Sequence, residues 1–195
     1  MSDIIQTPSV AEVRKYLELW GSLENYVLQE QSLNKLFFET YPLNQDISEI
    51  LIKASSLNDF YSTNIFSIFP IAKHILALVI DSRLQAGDPS LVNDIGLLTY
   101  EDGKTRNYYS FATKYCSHHR PLDFPIYDSY VERVLMHFKK QDKFSHFNRK
   151  DLRDYPRFKE IVMEFRSFYG LDQFNLKDID RYVWQVGKEY FPNKY

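Results

Sequence analysis

Residues 120–135 read RPLDFPIYDSYVERVL, and this stretch decides how the rest of the chain is interpreted. Two prolines mark an irregular connection that leads to Asp128. The residues that follow carry apolar side chains at helical spacing, and Ser129 and Glu132 have the spacing of a capping box. The stretch therefore predicts a proline-bent loop that enters a helix over 129–140, with Asp128 at the point of entry.

Helical signals also dominate on either side of this stretch. Capping residues and prolines suited to a first helical turn precede amphipathic segments. They predict helices that start at Ser9 and Ser22 (the second ending at Tyr41), at Asp46, over 71–83, from Asp88 to 98, over 107–119, from Pro156 to Phe168 and from Asn175 to Tyr190.

The segment 99–106, TYEDGKTR, interrupts the helical pattern. Its Asp102-Gly103 pair is a tight-turn signal, so a small hairpin or loop is expected there. No longer strand and no internal repeat is visible. We therefore expect an all-α fold, with one multi-helix domain over 1–195 whose first helices occupy 1–56.

Composition excludes several classes of protein. The 195 residues are 44% hydrophobic and 26% charged, as in globular proteins. A single cysteine, Cys116, rules out an intramolecular disulfide, a four-cysteine zinc site and a cysteine-ligated iron–sulfur cluster. With 6 glycines and no glycine-rich phosphate loop, no cofactor is expected. No metal is expected either, because adjacent His118 and His119 diverge on a helix and Asp81, Asp88 and Asp94 lack a metal-ligand spacing. There is no apolar run of about 18 residues and no basic residue in 1–10, so we expect no membrane contact, no secretory signal and a cytoplasmic location.

Charge is distributed unevenly along the chain. Residues 1–103 carry 6 basic and 14 acidic side chains, whereas residues 104–195 carry 18 basic and 12 acidic ones. One interpretation is a set of solvated helix faces of mixed sign. The other is a basic face that binds a polyanion.

The stretch around Asp128 resembles part of the helix-hairpin-helix DNA glycosylase superfamily, which includes the endonuclease III and alkyladenine glycosylase-like enzymes. In those enzymes a proline-containing loop leads to an aspartate and then to a helix. Three further segments resemble the family in the same order, and the similarity extends over 57–191; the segments are 57–78, 107–118 and 180–191. The resemblance implies an all-α protein that removes a modified or mispaired base from duplex DNA by a monofunctional mechanism.

Two departures from the family pattern stand out. The hairpin signature is missing, and residues 96–105 hold its place. Members with lyase activity carry a lysine eighteen residues before the aspartate, where this chain has Ser110. Lys114 follows one helical turn later, so a lyase reaction through its amine is the less favoured alternative.

The resemblance makes Asp128 and Lys114 the catalytic candidates. An ionised carboxylate stabilises the positive charge that builds on the sugar as the base leaves, and it can orient water. The alternative for Asp128 is a plain helix N-cap.

Other side chains are candidates for contacts with the DNA. Those for the base are Tyr61, Asn64, Tyr115, Tyr127 and Trp184, and those for phosphate are Lys104, Arg106, His118 and Arg120. The alternatives are core packing for the aromatic residues, a helix cap for Asn64 and solvated charge for the basic ones. A non-catalytic module that binds DNA or a protein on the same helical scaffold remains the competing function, and the oligomeric state stays open.

Overall fold

The computed structural model describes residues 5–192. Ten α-helices lie in this part of the chain, and the all-α prediction is confirmed. They are α1 (Val10–Ser22), α2 (Glu24–Asn34), α3 (Ile47–Tyr61), α4 (Ile68–Ala77), α5 (Asp81–Gln85), α6 (Ser90–Gly96), α7 (Tyr109–His119), α8 (Ser129–Asp142), α9 (Tyr155–Phe168) and α10 (Leu176–Tyr190).

Shorter elements complete the secondary structure. A π-helical segment, Lys35–Thr40, continues from α2, and a 3-10 turn, Arg149–Arg153, precedes α9. Strands β1 (Leu97–Thr99) and β2 (Thr105–Asn107) pair antiparallel, with Leu98 opposite Arg106. They form the small hairpin that the turn signal predicts.

The described residues separate into two compact units. The terminal unit comprises residues 5–24 and 127–192, and the central unit comprises residues 25–126. In the terminal unit α10 packs against α8 and α1. Its core contains Val13, Phe138, Phe158, Phe165 and Ile179, each at most 1% exposed.

In the central unit α3 packs against α4 and α7, and α6 packs against α7. Ten of the eleven residues of α7 are buried, among them Thr113, Lys114, Ser117, His118 and His119, and Ser110 is half-buried. A helix buried in this way has no solvent face, so every polar side chain on it needs a hydrogen-bond partner within the protein.

Local capping signals located several helix starts correctly. The Ser9 hydroxyl accepts from the Glu12 amide at 3.2 Å, and Asp46 Oδ1 accepts from the Ser48 amide at 2.7 Å. Asn175 and Asp178 form the capping box of α10.

Two predicted caps are wrong. Ser22 is the last residue of α1 rather than a cap of the next helix, and its hydroxyl donates to the Leu19 carbonyl at 2.7 Å. The N-cap of α8 is Asp128 and not Ser129.

The helix predicted over 71–83 is also wrong as a single element. The chain forms α4 and α5 instead, and it breaks at Val79, whose φ of 47° lies in the left-handed region. Left-handed backbone is unfavourable for a β-branched residue and ends the regular hydrogen-bonding of a helix. Within residues 5–192 no helix is both long and apolar enough to cross a bilayer.

Candidate functional site

Asp128 stands at the N-terminus of α8 with an extended backbone, φ −149° and ψ −180°. Its Oδ1 accepts hydrogen bonds from the backbone amides of Tyr130 and Val131, both at 2.9 Å. The side chain is half-buried, and within the described chain its Oδ2 accepts no hydrogen bond and joins no ion pair. The cap therefore fixes the direction of the carboxylate with one oxygen and leaves the other available.

A second carboxylate, Glu132, lies one turn further along α8. It accepts a short hydrogen bond from the Tyr127 hydroxyl and pairs with Arg149, whose Nε is 3.2 Å from Glu132 Oε1. The guanidinium of Arg153 lies 5.9 Å from the centre of the Tyr127 ring. These residues all belong to the terminal unit and surround the start of α8 with charge.

Tyr127 is not a platform for a base. It is 5% exposed and meets Phe158 edge to face at 5.6 Å. Burial, followed by the hydrogen bond to Glu132, raises the pKa of Tyr127 to about 12. Tyr127 is therefore a core aromatic residue whose hydroxyl is hydrogen-bonded, which is the alternative that the sequence offered to a contact with the base.

Lys114 lies in the central unit. It is 3% exposed, and its Nζ donates to Ser110 Oγ at 2.7 Å and lies 5.3 Å from the centre of the Tyr61 ring. The Tyr61 hydroxyl is 3.0 Å from His118 Nε2. Lys114, Ser110, Tyr61 and His118 thus form one packed polar cluster.

Burial removes two of the predicted DNA contacts from the surface. His118 is 3% exposed and bonded to Tyr61, so the structure gives it no surface for a phosphate. Tyr115 is fully buried, and its hydroxyl donates to Asn44 Oδ1 at 2.6 Å. Neither side chain is available to a nucleic acid in this structure.

The remaining sequence-predicted contacts lie at or near the surface. Lys104 pairs with Asp102 at 2.8 Å in the hairpin, and Arg120 pairs with Asp123 at 2.9 Å. The guanidinium of Arg106 lies 5.9 Å from the centre of the Tyr100 ring.

Asn64 and Trp184 have different environments. Asn64 is exposed, with a left-handed φ of 58°, and α4 begins four residues later with Ser67 as its N-cap, so the predicted cap at Asn64 is wrong. Trp184, half-buried on α10, packs edge to face against Trp20.

Sequence reasoning missed a buried polar network in the central unit. Lys53 is fully buried, and its Nζ donates to the carbonyls of Tyr41 and Leu43 and to Asn44 Oδ1. Asp81 accepts from the Asn44 side-chain amide at 2.7 Å. The sequence contained a sign of this network, because helical spacing places Lys53 on the same face of α3 as the apolar residues Ile50 and Leu57.

A surface cleft of about 550 Å³ also lies in the central unit, between α4 and the hairpin. Its lining includes Phe69, Lys73, His74, Tyr100 and Asp102, and it does not include Asp128. In the part of the chain that is described, no three His, Cys, Asp or Glu side chains are grouped to hold a metal ion.

His119, at the end of α7, is expected to make the protein acid-sensitive. Its buried Nε2 has no hydrogen-bond partner among residues 5–192. Burial, with a smaller contribution from the charge of Lys53, lowers the pKa of His119 to about 3. Between pH 6.5 and pH 3 the unfolded chain therefore binds a proton that the folded chain refuses, and stability falls as the pH falls.

We expect the free energy of unfolding to drop by about 2 kcal/mol from pH 6.5 to pH 5 through His119 alone. Urea unfolding across this range measures the drop, and His119→Phe should remove most of it because the substituted ring cannot bind a proton. An equal drop in His119→Phe would contradict the assignment. His146→Gln, at an exposed position, is the control.

Comparison with known proteins identifies the family. The model of the HI_0787_N family, an N-terminal domain, matches residues 12–123, which is more than half of the chain. The chain belongs to this family. It is also 52% identical over 147 residues to an uncharacterized protein of Haemophilus influenzae strain Rd, a match that covers 75% of this chain and 70% of that protein.

No solved structure matches the chain. The HI_0787_N match begins in the first turn of α1, extends past the end of α7 and ends before Asp128. Neither the family description nor the name of the relative specifies a reaction.

Proposed function

We propose that this chain is a DNA glycosylase-like enzyme that cleaves the N-glycosidic bond of a modified or mispaired base. The observation that carries the proposal is the carboxylate of Asp128, with one oxygen held by two backbone amides and the other available. Such a cap orients a charged group without neutralising it by an ion pair. The resemblance of 120–135 to the glycosylase superfamily supports the same reading.

Asp128 is the residue that the proposed reaction uses. As the bond between the sugar carbon and the base nitrogen breaks, positive charge develops on the sugar, and the ionised carboxylate of Asp128 stabilises it. The carboxylate then accepts a proton from water as the water oxygen bonds to the sugar carbon. The departing base keeps the electron pair of the broken bond and takes a proton from solvent water, and the carboxyl group returns its own proton to the solvent. The products are a free base and an abasic site.

The proposed mechanism is monofunctional because Lys114 is an unsuitable nucleophile. An amine that attacks a sugar carbon must be reachable and uncharged. Lys114 is 3% exposed and bound to Ser110. The proposed partner is duplex DNA, and the proposed location is the cytoplasm.

Base release by Asp128→Asn tests the proposal. Asparagine caps a helix as well as aspartate does, so the substitution removes the charge and keeps the cap. We expect release to fall about 100-fold while stability changes little. The assay uses a panel of duplexes with one damaged base each, followed by alkali to cut at abasic sites.

A matched control is available at another helix start. Asp46 caps α3 through its Oδ1 in the same way, and Asp46→Asn should leave base release unchanged. Equal release by wild type and Asp128→Asn would remove Asp128 from the mechanism. Absence of release from every duplex would favour the competing function, a module that binds without catalysis.

A further inference from the structure

The cleft between α4 and the hairpin, of about 550 Å³, has no part in the function proposed above. Its first wall consists of Phe69, Pro70, Lys73 and His74 on α4, and its second wall is the segment 98–102. Both walls belong to the central unit. Clefts of this volume that bind small molecules combine apolar walls with a few polar groups, so the lining determines which kind of molecule fits.

Both walls of the cleft are held in place by the rest of the central unit. α4 buries Ile71 completely, and on its other side Phe69 and Lys73, one turn apart, are exposed. Across the cleft, the Tyr100 amide donates to the Lys104 carbonyl at 2.8 Å and so closes the hairpin. The cleft is therefore formed by regular secondary structure and does not need a ligand to assemble it.

The lining contains one lysine and two acidic side chains. Asp102 is neutralised inside the hairpin, because its Oδ2 lies 2.8 Å from Lys104 Nζ and its Oδ1 accepts from the Lys104 amide at 3.1 Å. Lys73 Nζ lies 5.7 Å from the centre of the Phe69 ring, and it joins no ion pair within the described part of the chain. The side chain of Glu101 is exposed and, within the same residues, makes neither an ion pair nor a hydrogen bond. The cleft thus offers one unpaired cation on α4 and one unpaired anion on the hairpin.

Much of the remaining lining is apolar. The Tyr100 hydroxyl lies 2.5 Å from the Tyr108 hydroxyl, so the polar end of this side chain is already hydrogen-bonded inside the unit. The carbon surface of the lining comes from Phe69, Pro70, Leu98 and the Tyr100 ring. Phe69 alone is 55% exposed. A ligand ring in contact with this surface would be removed from water together with it.

We propose that the cleft binds a free α-amino acid with an aromatic side chain. The carboxylate of the amino acid pairs with the Lys73 ammonium, which has three donors and can bind it while staying beside the Phe69 ring. The ammonium of the amino acid pairs with Glu101, and its ring lies on the apolar lining. A ligand with a single charge leaves one of the two side chains without a partner. The proposal goes beyond the glycosylase function and uses none of its residues.

NMR titration of the isotope-labelled full chain with L-phenylalanine tests the proposal. We expect saturable shifts confined to the amides of residues 69–74 and 98–102, with a dissociation constant of about 1 mM or lower. Three probes each lack one part of the ligand: phenylpropionate lacks the ammonium, phenethylamine lacks the carboxylate and glycine lacks the ring. Each probe should bind at least about 3-fold more weakly than phenylalanine.

Two variants at exposed positions separate the two charges. Lys73→Gln should weaken the binding of phenylalanine and phenylpropionate about 3-fold without weakening that of phenethylamine, which has no carboxylate. Glu101→Gln should weaken phenylalanine and phenethylamine to the same extent without weakening phenylpropionate. Lys35→Gln and Glu39→Gln, both exposed on the π-helical segment outside the cleft, are the matched controls and should weaken none of them.

Several outcomes would overturn the proposal. Phenylalanine that gives no saturable shifts, or shifts only outside the two walls, would remove the site. A single-charge probe that binds as tightly as phenylalanine, or a control variant as weak as the cleft variant of the same charge, would remove the pairing of both charges. Base release from DNA without binding of phenylalanine would leave the glycosylase proposal standing and remove this one, and binding without base release would do the reverse.

Discussion

Lys53→Met is expected to lower the free energy of unfolding by about 3 kcal/mol. The ammonium of Lys53 lies 3.0 Å from the Tyr41 carbonyl, 2.7 Å from the Leu43 carbonyl and 2.7 Å from Asn44 Oδ1. Methionine fills a similar volume but donates no hydrogen bond. The Tyr41 and Leu43 carbonyls would then lose a donor. Each such group that water does not reach costs about 1–3 kcal/mol.

The substitution should also weaken neighbouring hydrogen bonds, because one acceptor of Lys53, Asn44, bonds to other side chains as well. Asn44 Oδ1 also accepts from the Tyr115 hydroxyl at 2.6 Å, and the Asn44 side-chain amide donates to Asp81. Chemical denaturation measures the loss, with Lys35→Met at an exposed position as the control. A loss of under about 0.5 kcal/mol, the size of an ordinary surface substitution, would show that water replaces the ammonium.

The pH dependence of unfolding gives a second readout for the same variant. Burial lowers the pKa of Lys53 to about 8, although the charges of Asp81 and Glu49 act in the opposite direction. The unfolded lysine has a pKa of about 10.4, so between pH 8 and pH 10 the unfolded chain holds a proton that the folded chain releases. Stability therefore rises with pH in this window, by about 2 kcal/mol, and the rise should be absent in Lys53→Met.

Local signals explain which parts of the fold were predictable. Ser9, Asp46 and Asn175 were identified as helix caps because a cap is made by atoms within three residues of one another. The break at Val79 was not predictable, because the apolar pattern of 71–83 suits one helix and only tertiary packing imposes the left-handed turn.

In the candidate site too, the features set by local sequence were predictable and those set by tertiary packing were not. The position of Asp128 was predictable because a proline-bent loop and an amphipathic helix bracket it in the sequence. The burial of Tyr115 and His118 was not, since α7 is enclosed on every side and its polar residues give no sign of an apolar face. Lys53 was overlooked although Ile50, Ala54 and Leu57 share its face of α3.

Gly187→Ala is expected to destabilise the terminal unit by about 3 kcal/mol or more, at the upper end for overpacking of a core. A Cβ atom at Gly187 would lie 2.6 Å from Tyr130 Cβ, 2.8 Å from the Tyr130 carbonyl oxygen and 2.9 Å from its carbonyl carbon. Two of these atoms are backbone. No rotamer change in Tyr130 can relieve the contact, so α8 and α10 would have to move apart.

Separation of these helices would also disturb the cap of α8, because the Tyr130 amide donates to Asp128. Thermal or urea unfolding measures the loss, and Gly21→Ala is the matched control. Gly21 lies in α1 with nothing within 4 Å of the added Cβ, so there alanine should stabilise by about 0.5–1 kcal/mol through helix propensity. Equal and favourable shifts at both glycines would mean that α8 and α10 do not approach each other as closely as these distances require.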